Sequence, residues 1–164
     1  MDKPQFWRLI EASSNKTRNC DKQVAKLEKL LDKLSAEEIL GFENIFTSLM
    51  RDSYRWDLWA VAYIVGGGCL DDGFEYFRHW LIAQGQTYFE AALQNPERAA
   101  DAARCEEAEC EAIRYATREP YEAKTGIDIC EVADAPDYAE EPVGQPWSEE
   151  DLEVLFPRLC KKFG

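Results

Sequence analysis

The sequence predicts an all-α fold: a compact multi-helix single domain finished by an acidic, proline-containing C-terminal strap and a short final helix. Three observations predict it. Apolar residues recur at three- and four-residue spacing along most of the chain. Helix-start chemistry precedes several of these stripes. Strand-like alternation is weak, with 127–132 the one candidate. At 164 residues, 46% of them hydrophobic, the chain has core material for one domain and is not a disordered or fibrous sequence. The expected division is a helical domain at 1–118, with the strap and terminal helix at 119–164 packed on the same domain.

The elements follow in order. Asp2-Lys3-Pro4 supplies a cap and an early proline for a first helix through Phe6, Leu9 and Ile10. The polar run Ser13 to Thr17 breaks it. Val24, Leu27, Leu30, Leu31 and Leu34 form the amphipathic stripe of a second helix. Ser35 and Glu38 make a capping box that opens a third, through Ile39, Phe42, Phe46, Leu49 and Met50. A fourth helix around Leu58 to Val65 stops at Gly66-Gly67-Gly68. Asp71 or Asp72 is expected to cap a fifth, carrying Phe74, Phe77, Trp80 and Leu81, which Gly85 interrupts before Thr87 to Leu93. Pro96 is expected to start a helix continuing to about Arg118. Ser148 opens a last short one, Leu152 to Phe156, ended by Pro157.

The N-terminus lacks the pattern of a signal peptide, and no stretch approaches the roughly 18 apolar residues of a membrane span. The expected compartment is the cytoplasm. The six cysteines, Cys20, Cys69, Cys105, Cys110, Cys130 and Cys160, include no Cys-x-x-Cys pair. With His79 the sole histidine, they read as reduced structural thiols, with no metal site and no cofactor.

The net charge is −13, which argues against direct nucleic-acid binding through a basic surface. The acidity is local: from Glu119 to Glu153 there are 12 acidic residues against Lys124 alone. Pro120, Pro136, Pro142 and Pro146 fall in this segment and favour an extended strap over a helix. Ile127, Ile129, Val132, Tyr138 and Trp147 are its candidate buried anchors. A field of one sign steers association with the opposite sign. Glu140, Glu141, Glu149, Glu150 and Asp151 are therefore the candidate surface for a basic protein partner. The plainer reading of the same residues is a solvated tail.

Ten of the twenty aromatics lie between Tyr54 and Phe89. The fourth helix is apolar on every side except at Asp57, so Asp57 is expected to be partly buried and in need of donors. Arg78 shares a face with Phe74, Phe77 and Leu81, and its guanidinium needs a carboxylate or water. Arg55, Trp56, Asp57, Trp59, Asp71, Asp72, Arg78 and Trp80 therefore form a candidate cluster. It is either a structural network between helices or a polar pocket for an anionic ligand, floored by Trp56, Trp59 and Trp80. Gly66-Gly67-Gly68 lacks the Lys-Ser/Thr ending of a phosphate loop. His79 has no recognisable nucleophile with it and reads as packing or surface. No catalytic residue is assigned, and the reading leans away from an enzyme.

The segments Tyr54-Arg55-Trp56-Asp57-Leu58-Trp59, Gly66-Gly67-Gly68-Cys69, Asp71-Asp72-Gly73-Phe74, Phe77-Arg78 and Trp80-Leu81-Ile82, with Gln84-Gly85, resemble the bacterial domain of unknown function family 4240. Phe6, Trp7 and Ile10 match its start, and the resemblance runs from about residue 6 to 93, strongest at 54–85. It implies a helical bacterial cytoplasmic domain and brings no established activity or catalytic residues. Two functional expectations stand: an acidic interaction module, in the manner of an inhibitor or immunity protein for a basic partner, and a small-molecule binding protein or enzyme built on the aromatic centre.

Overall fold

The N-terminal helices begin where local hydrogen-bond chemistry starts them. In the computed structural model, which describes residues 1–164 except 15–18, 105–107 and 135–139, Asp2 accepts from the Gln5 amide at 2.7 Å and opens α1 (Lys3–Ser13). Asn19 does the same for α2 (Cys20–Leu31). Ser35 and Glu38 exchange bonds as a capping box at the head of α3 (Ala36–Asp52). Each device satisfies amides that a helix start would leave without a partner. Then follow α4 (Trp56–Gly66), α5 (Asp71–Ala83) and α6 (Gln86–Gln94). Among the described residues the structure is helical, with no strand.

α4 is the central helix. Leu58, Ala60, Val61, Ala62, Ile64 and Val65 are all buried, and it packs against α5, the 96–100 turn and the C-terminal helix. It ends because Gly67 adopts a left-handed conformation (φ 66°) that a side chain would strain. A single core runs from Phe6, Trp7 and Ile10 to Leu152 and Leu159, so both ends of the chain contribute to one interior. A satellite cluster joins Ile39 of α3 to Tyr121 and Ile129.

After α6 the structure departs from the sequence expectations. Pro96 starts only a 3-10 turn, Pro96–Ala100, and a second follows at Glu111–Tyr115. The alanines in this stretch have little apolar area to hold a long helix against the core. α7 (Arg118–Thr125) falls where an extended strap was expected. Pro120 is its third residue, where no intrahelical amide bond is lost. The candidate strand at 127–132 is instead a 3-10 turn, Ile129–Glu131. Ser148 opens a 3-10 turn, Glu149–Asp151, leading into α8 (Leu152–Leu155). Pro157 does not simply end that helix; it starts α9 (Pro157–Phe163).

Two further expectations need correcting. Leu70, not Asp71 or Asp72, is the N-cap of α5. Both aspartates lie in its first turn, where negative charge is favoured by the helix dipole. Cys20 and Cys110 are not free thiols: they form a disulfide with a Cα–Cα distance of 5.5 Å, 90 residues apart in sequence. Packing of the 111–115 turn on α2 brings them together, which no sequence spacing reveals. Cys69, Cys130 and Cys160 are free; Cys105 lies outside the described residues.

Candidate functional site

The site is built on the start of α4. Arg55 is the N-cap and Trp56 and Asp57 are the first two helical residues. The Arg55 guanidinium grips the Asp57 carboxylate with both ends of its fork, Nε to Oδ1 at 3.0 Å and Nη2 to Oδ2 at 2.5 Å. Its Nη1 donates to the Leu93 carbonyl at 2.8 Å, tying α4 to the end of α6. Asp57 Oδ1 also accepts from the Leu58 amide at 2.7 Å. Both side chains keep about a third of their surface in solvent (29% and 35%). A pair this exposed stabilises by about 1 kcal/mol or less. Its role is to fix direction: a bidentate fork holds one geometry.

Arg78 performs a different joint. It is 4% exposed, lies 5.0 Å from the Tyr54 ring centre and 4.8 Å from that of Phe74, and donates through Nη1 to the Met50 carbonyl at 2.8 Å. That carbonyl belongs to the last turn of α3, where backbone acceptors lack helical partners and a cation is favoured. Arg78 thus joins α5 to the end of α3.

Between these joints the rings form a stack. Trp56 lies on Trp59 (5.4 Å, 10°) and Trp59 on Phe74 (5.0 Å, 8°). Trp59 donates to the Cys69 carbonyl at 3.0 Å. The strap comes down on this stack. Trp147 meets Trp56 and Tyr63 edge-on (6.3 and 5.3 Å) and donates to the Trp56 carbonyl at 2.8 Å. The Trp56 amide donates to Val143, and the Val143 amide to Tyr54, both at 3.0 Å. Pro142 beside Val143 is buried.

The structure therefore gathers Arg55, Trp56, Asp57 and Trp59 at the start of α4, with Trp147 against Trp56 and Arg78 linked through Phe74 and Tyr54. Trp80 instead contacts Phe77 and Tyr88, and Asp71 and Asp72 are exposed. Of the two cavities described, neither is lined by Arg55, Asp57 or Arg78. Of the expected anchors, Ile129 is buried and Trp147 partly so, whereas Ile127 and Val132 are more than 40% exposed. Tyr138 lies outside the described residues. Glu140, Glu141, Glu149, Glu150 and Asp151 are all exposed.

Burial, then the charges of Glu109 and Asp71, push the Cys69 thiol up to about 11, so at neutral pH it is not a thiolate. The amide and hydroxyl of Ser148 hold Asp151 below the usual carboxylate range. A bond to the Glu149 carboxylate raises the Tyr63 phenol. Among the described residues no group of His, Cys, Asp and Glu is placed to hold a metal.

A second polar centre was not singled out from the sequence. Glu43 of α3, 3% exposed, accepts from Arg114 at 2.6 Å and from the Thr117 hydroxyl at 2.7 Å. The signal was present, since Glu43 falls on the stripe Ile39, Phe46 and Met50, where a carboxylate must find donors. Nearby, His79 is 1% exposed and neither ring nitrogen makes a hydrogen bond. Glu75 stands 3.6 Å from Nε2, too far for one. Burial, with Arg78 and Arg114, pushes His79 down to about 3.

Residues 1–123 match the family described as Protein of unknown function (DUF4240). The chain belongs to this family. The match covers α1–α6 and most of α7 and stops before the strap segments anchored by Val143 and Trp147. No curated protein and no solved structure matches the chain. Among the described residues no helix is long and apolar enough to cross a membrane.

Proposed function

We propose that this protein is an interaction module that captures a basic protein partner through its acidic C-terminal strap, as an inhibitor or immunity protein would. The observation that supports this reading is the docking of the strap at Val143 and Trp147. These anchors lie between Glu140–Glu141 and Glu149–Asp151, so the charges on either side project from a backbone already tied to α4. Charges on a pre-ordered frame bind with less loss of conformational freedom than charges on a free tail, and a field of one sign speeds encounter with its opposite. The same field disfavours direct contact with nucleic acid.

The aromatic centre has less support as an anion pocket. Arg55 is already gripped by Asp57 and the Leu93 carbonyl, and Arg78 is spent on the end of α3. This reading keeps the protein in the cytoplasm and assigns it no catalytic step. The Cys20–Cys110 bond would then be exposed to the reducing poise of that compartment.

The test is capture from host lysate at low and moderate salt, with the protein carrying Glu140→Lys, Glu141→Lys, Glu149→Lys and Glu150→Lys as control. A basic protein held by the wild type, released by salt and missed by the control is the expected result. Equal capture by both proteins contradicts the reading.

A further inference from the structure

The strap's last acidic turn stands beside an apolar groove. About 270 Å³ of space opens between α4 and the C-terminal helices, lined by Ile64, Leu152, Cys160 and Phe163, with Tyr63 and Gly67 on the α4 side. Glu149, Glu153 and Gly164 complete the lining, and all three are exposed. Small-molecule sites usually run from about 300 to 1,000 Å³ and enclose their ligand. This groove is smaller and open to solvent, a shape suited to one or two aliphatic side chains of a partner. Val154 and Leu155 of α8 are 82% and 53% exposed and do not line the groove.

The charged side chains that line the groove are both acidic, Glu149 and Glu153. No lysine or arginine lines it. Three basic residues lie on α9 outside the lining: Lys162 donates to the Ala100 carbonyl with its Nζ 4.6 Å from the Phe163 ring centre, Arg158 faces Glu97 at 3.6 Å, and Lys161 is exposed. Glu149, Glu150, Asp151 and Glu153 are four carboxylates in five residues, of which Glu149 and Glu153 line the groove. An apolar slot bordered by negative charge complements an apolar side chain flanked by positive ones.

We propose that the groove between α4 and α8–α9 is the docking site for a basic amphipathic segment of the partner. One aliphatic side chain enters beside Ile64, Leu152 and Phe163, and flanking Lys or Arg side chains meet Glu149 and Glu153. The proposal rests on the interaction reading and sharpens it: the partner is selected by an apolar anchor between basic residues and not by positive charge alone. Desolvated apolar anchors carry most of the affinity of such contacts, while rim charges set register and rate.

The test uses two acetylated, amidated peptides, Lys-Leu-Lys-Lys-Leu-Lys and Lys-Ser-Lys-Lys-Ser-Lys, titrated at moderate salt into the nitrogen-15-labelled full chain. Only the leucine peptide is expected to shift the amides of 63–67 and 160–163, and to change Trp147 emission through Tyr63. Glu149→Gln with Glu153→Gln is expected to weaken it roughly tenfold, while Glu140→Gln with Glu141→Gln changes it less than about twofold. All four substitutions are at exposed positions. Equal binding of both peptides, with both variant pairs equally impaired, overturns the groove and leaves capture by charge standing. Binding of neither peptide, or self-association of the free protein that Val154→Lys abolishes, overturns the groove as a site for a basic segment. In that case the lysate capture decides the interaction reading separately.

Discussion

Among the described residues, Lys3 to Gln94 forms six α-helices around one interior, while from Pro96 onward short turns and brief helices add scattered apolar residues to that interior and are further tied by individual bonds. The first region is held by continuous apolar faces. The second buries Ala99, Ile113, Leu152 and Leu159 in the same interior and adds named fasteners: the Cys20–Cys110 bond, Cys110 to Tyr76, Arg114 and Thr117 to Glu43, Lys124 to the Asp32 carbonyl, Val143 to Tyr54, and Trp147 to Trp56. Cooperative burial spreads stability over many residues. Point fasteners concentrate it, so single changes in the C-terminal third should have large and separable effects. The acidic charge sits in the fastened region, on a backbone whose position depends on a few contacts.

The largest effect should come from reducing the disulfide. A cross-link closing a loop of about 90 residues restricts the unfolded chain by about 4–5 kcal/mol in the chain-entropy account, or roughly 10–15 °C in melting temperature for a chain of this size. Thermal melts with and without dithiothreitol, on the wild type and on Cys20→Ser, check this. Reductant should lower the wild-type midpoint and leave that of the variant unchanged. Identical wild-type melts in both conditions would remove the disulfide from the fasteners.

Trp147→Ala should come next, at about 2 kcal/mol, because the ring is only partly buried but its indole also donates to Trp56. Urea unfolding measures the loss. Strap mobility, read by proteolysis between 140 and 151, should rise well before the helical region opens. Loss of both regions together would show that the two are not distinct.

His79 belongs to the helical side, and over the narrow pH window in which it can be isolated its effect is the smallest of the three. The folded protein holds it neutral, down to about 3, while the unfolded chain titrates near 6.5. Its contribution is therefore full above pH 6.5 and is lost as pH falls from 6.5 toward 3, with a slope of up to about 1.4 kcal/mol per pH unit. Arg78 and Arg114 oppose protonation, and Glu75 favours it from 3.6 Å. Melts between pH 6.5 and 5, above the range of ordinary carboxylates, isolate it. The slope should flatten in His79→Leu, and an equal slope in both proteins would contradict the burial argument.

The same division decides what the sequence disclosed. α1 to α4 were legible because a cap and a periodic apolar face are local signals: Asp2, Ser35 with Glu38, and Gly67 act within a few residues of themselves. The pairing of Arg55 with Asp57 was within reach for that reason too, being two residues apart. The expectation of a carboxylate or water for Arg78 left out the backbone: its Nη1 donates to the Met50 carbonyl, 28 residues away, and carbonyls leave no mark in a sequence. Cys20 with Cys110, and Glu43 with Arg114, are separated by 90 and 71 residues. Only the packed fold brings them together. The irregular elements after Pro96 were misjudged for a related cause: with small and charged residues there, tertiary anchors and not periodicity choose the conformation.

The central claim is that the acidic strap is a docked part of the domain and not a floating tail. Amide hydrogen exchange at Val143 and Trp56, which donate to Tyr54 and Val143 at 3.0 Å, tests it most directly. Both amides should exchange far more slowly than those of an unstructured chain, with Val143 losing its protection in Trp147→Ala. Exchange of the wild-type Val143 amide at the unstructured rate would contradict the account and return residues 140–151 to a solvated tail.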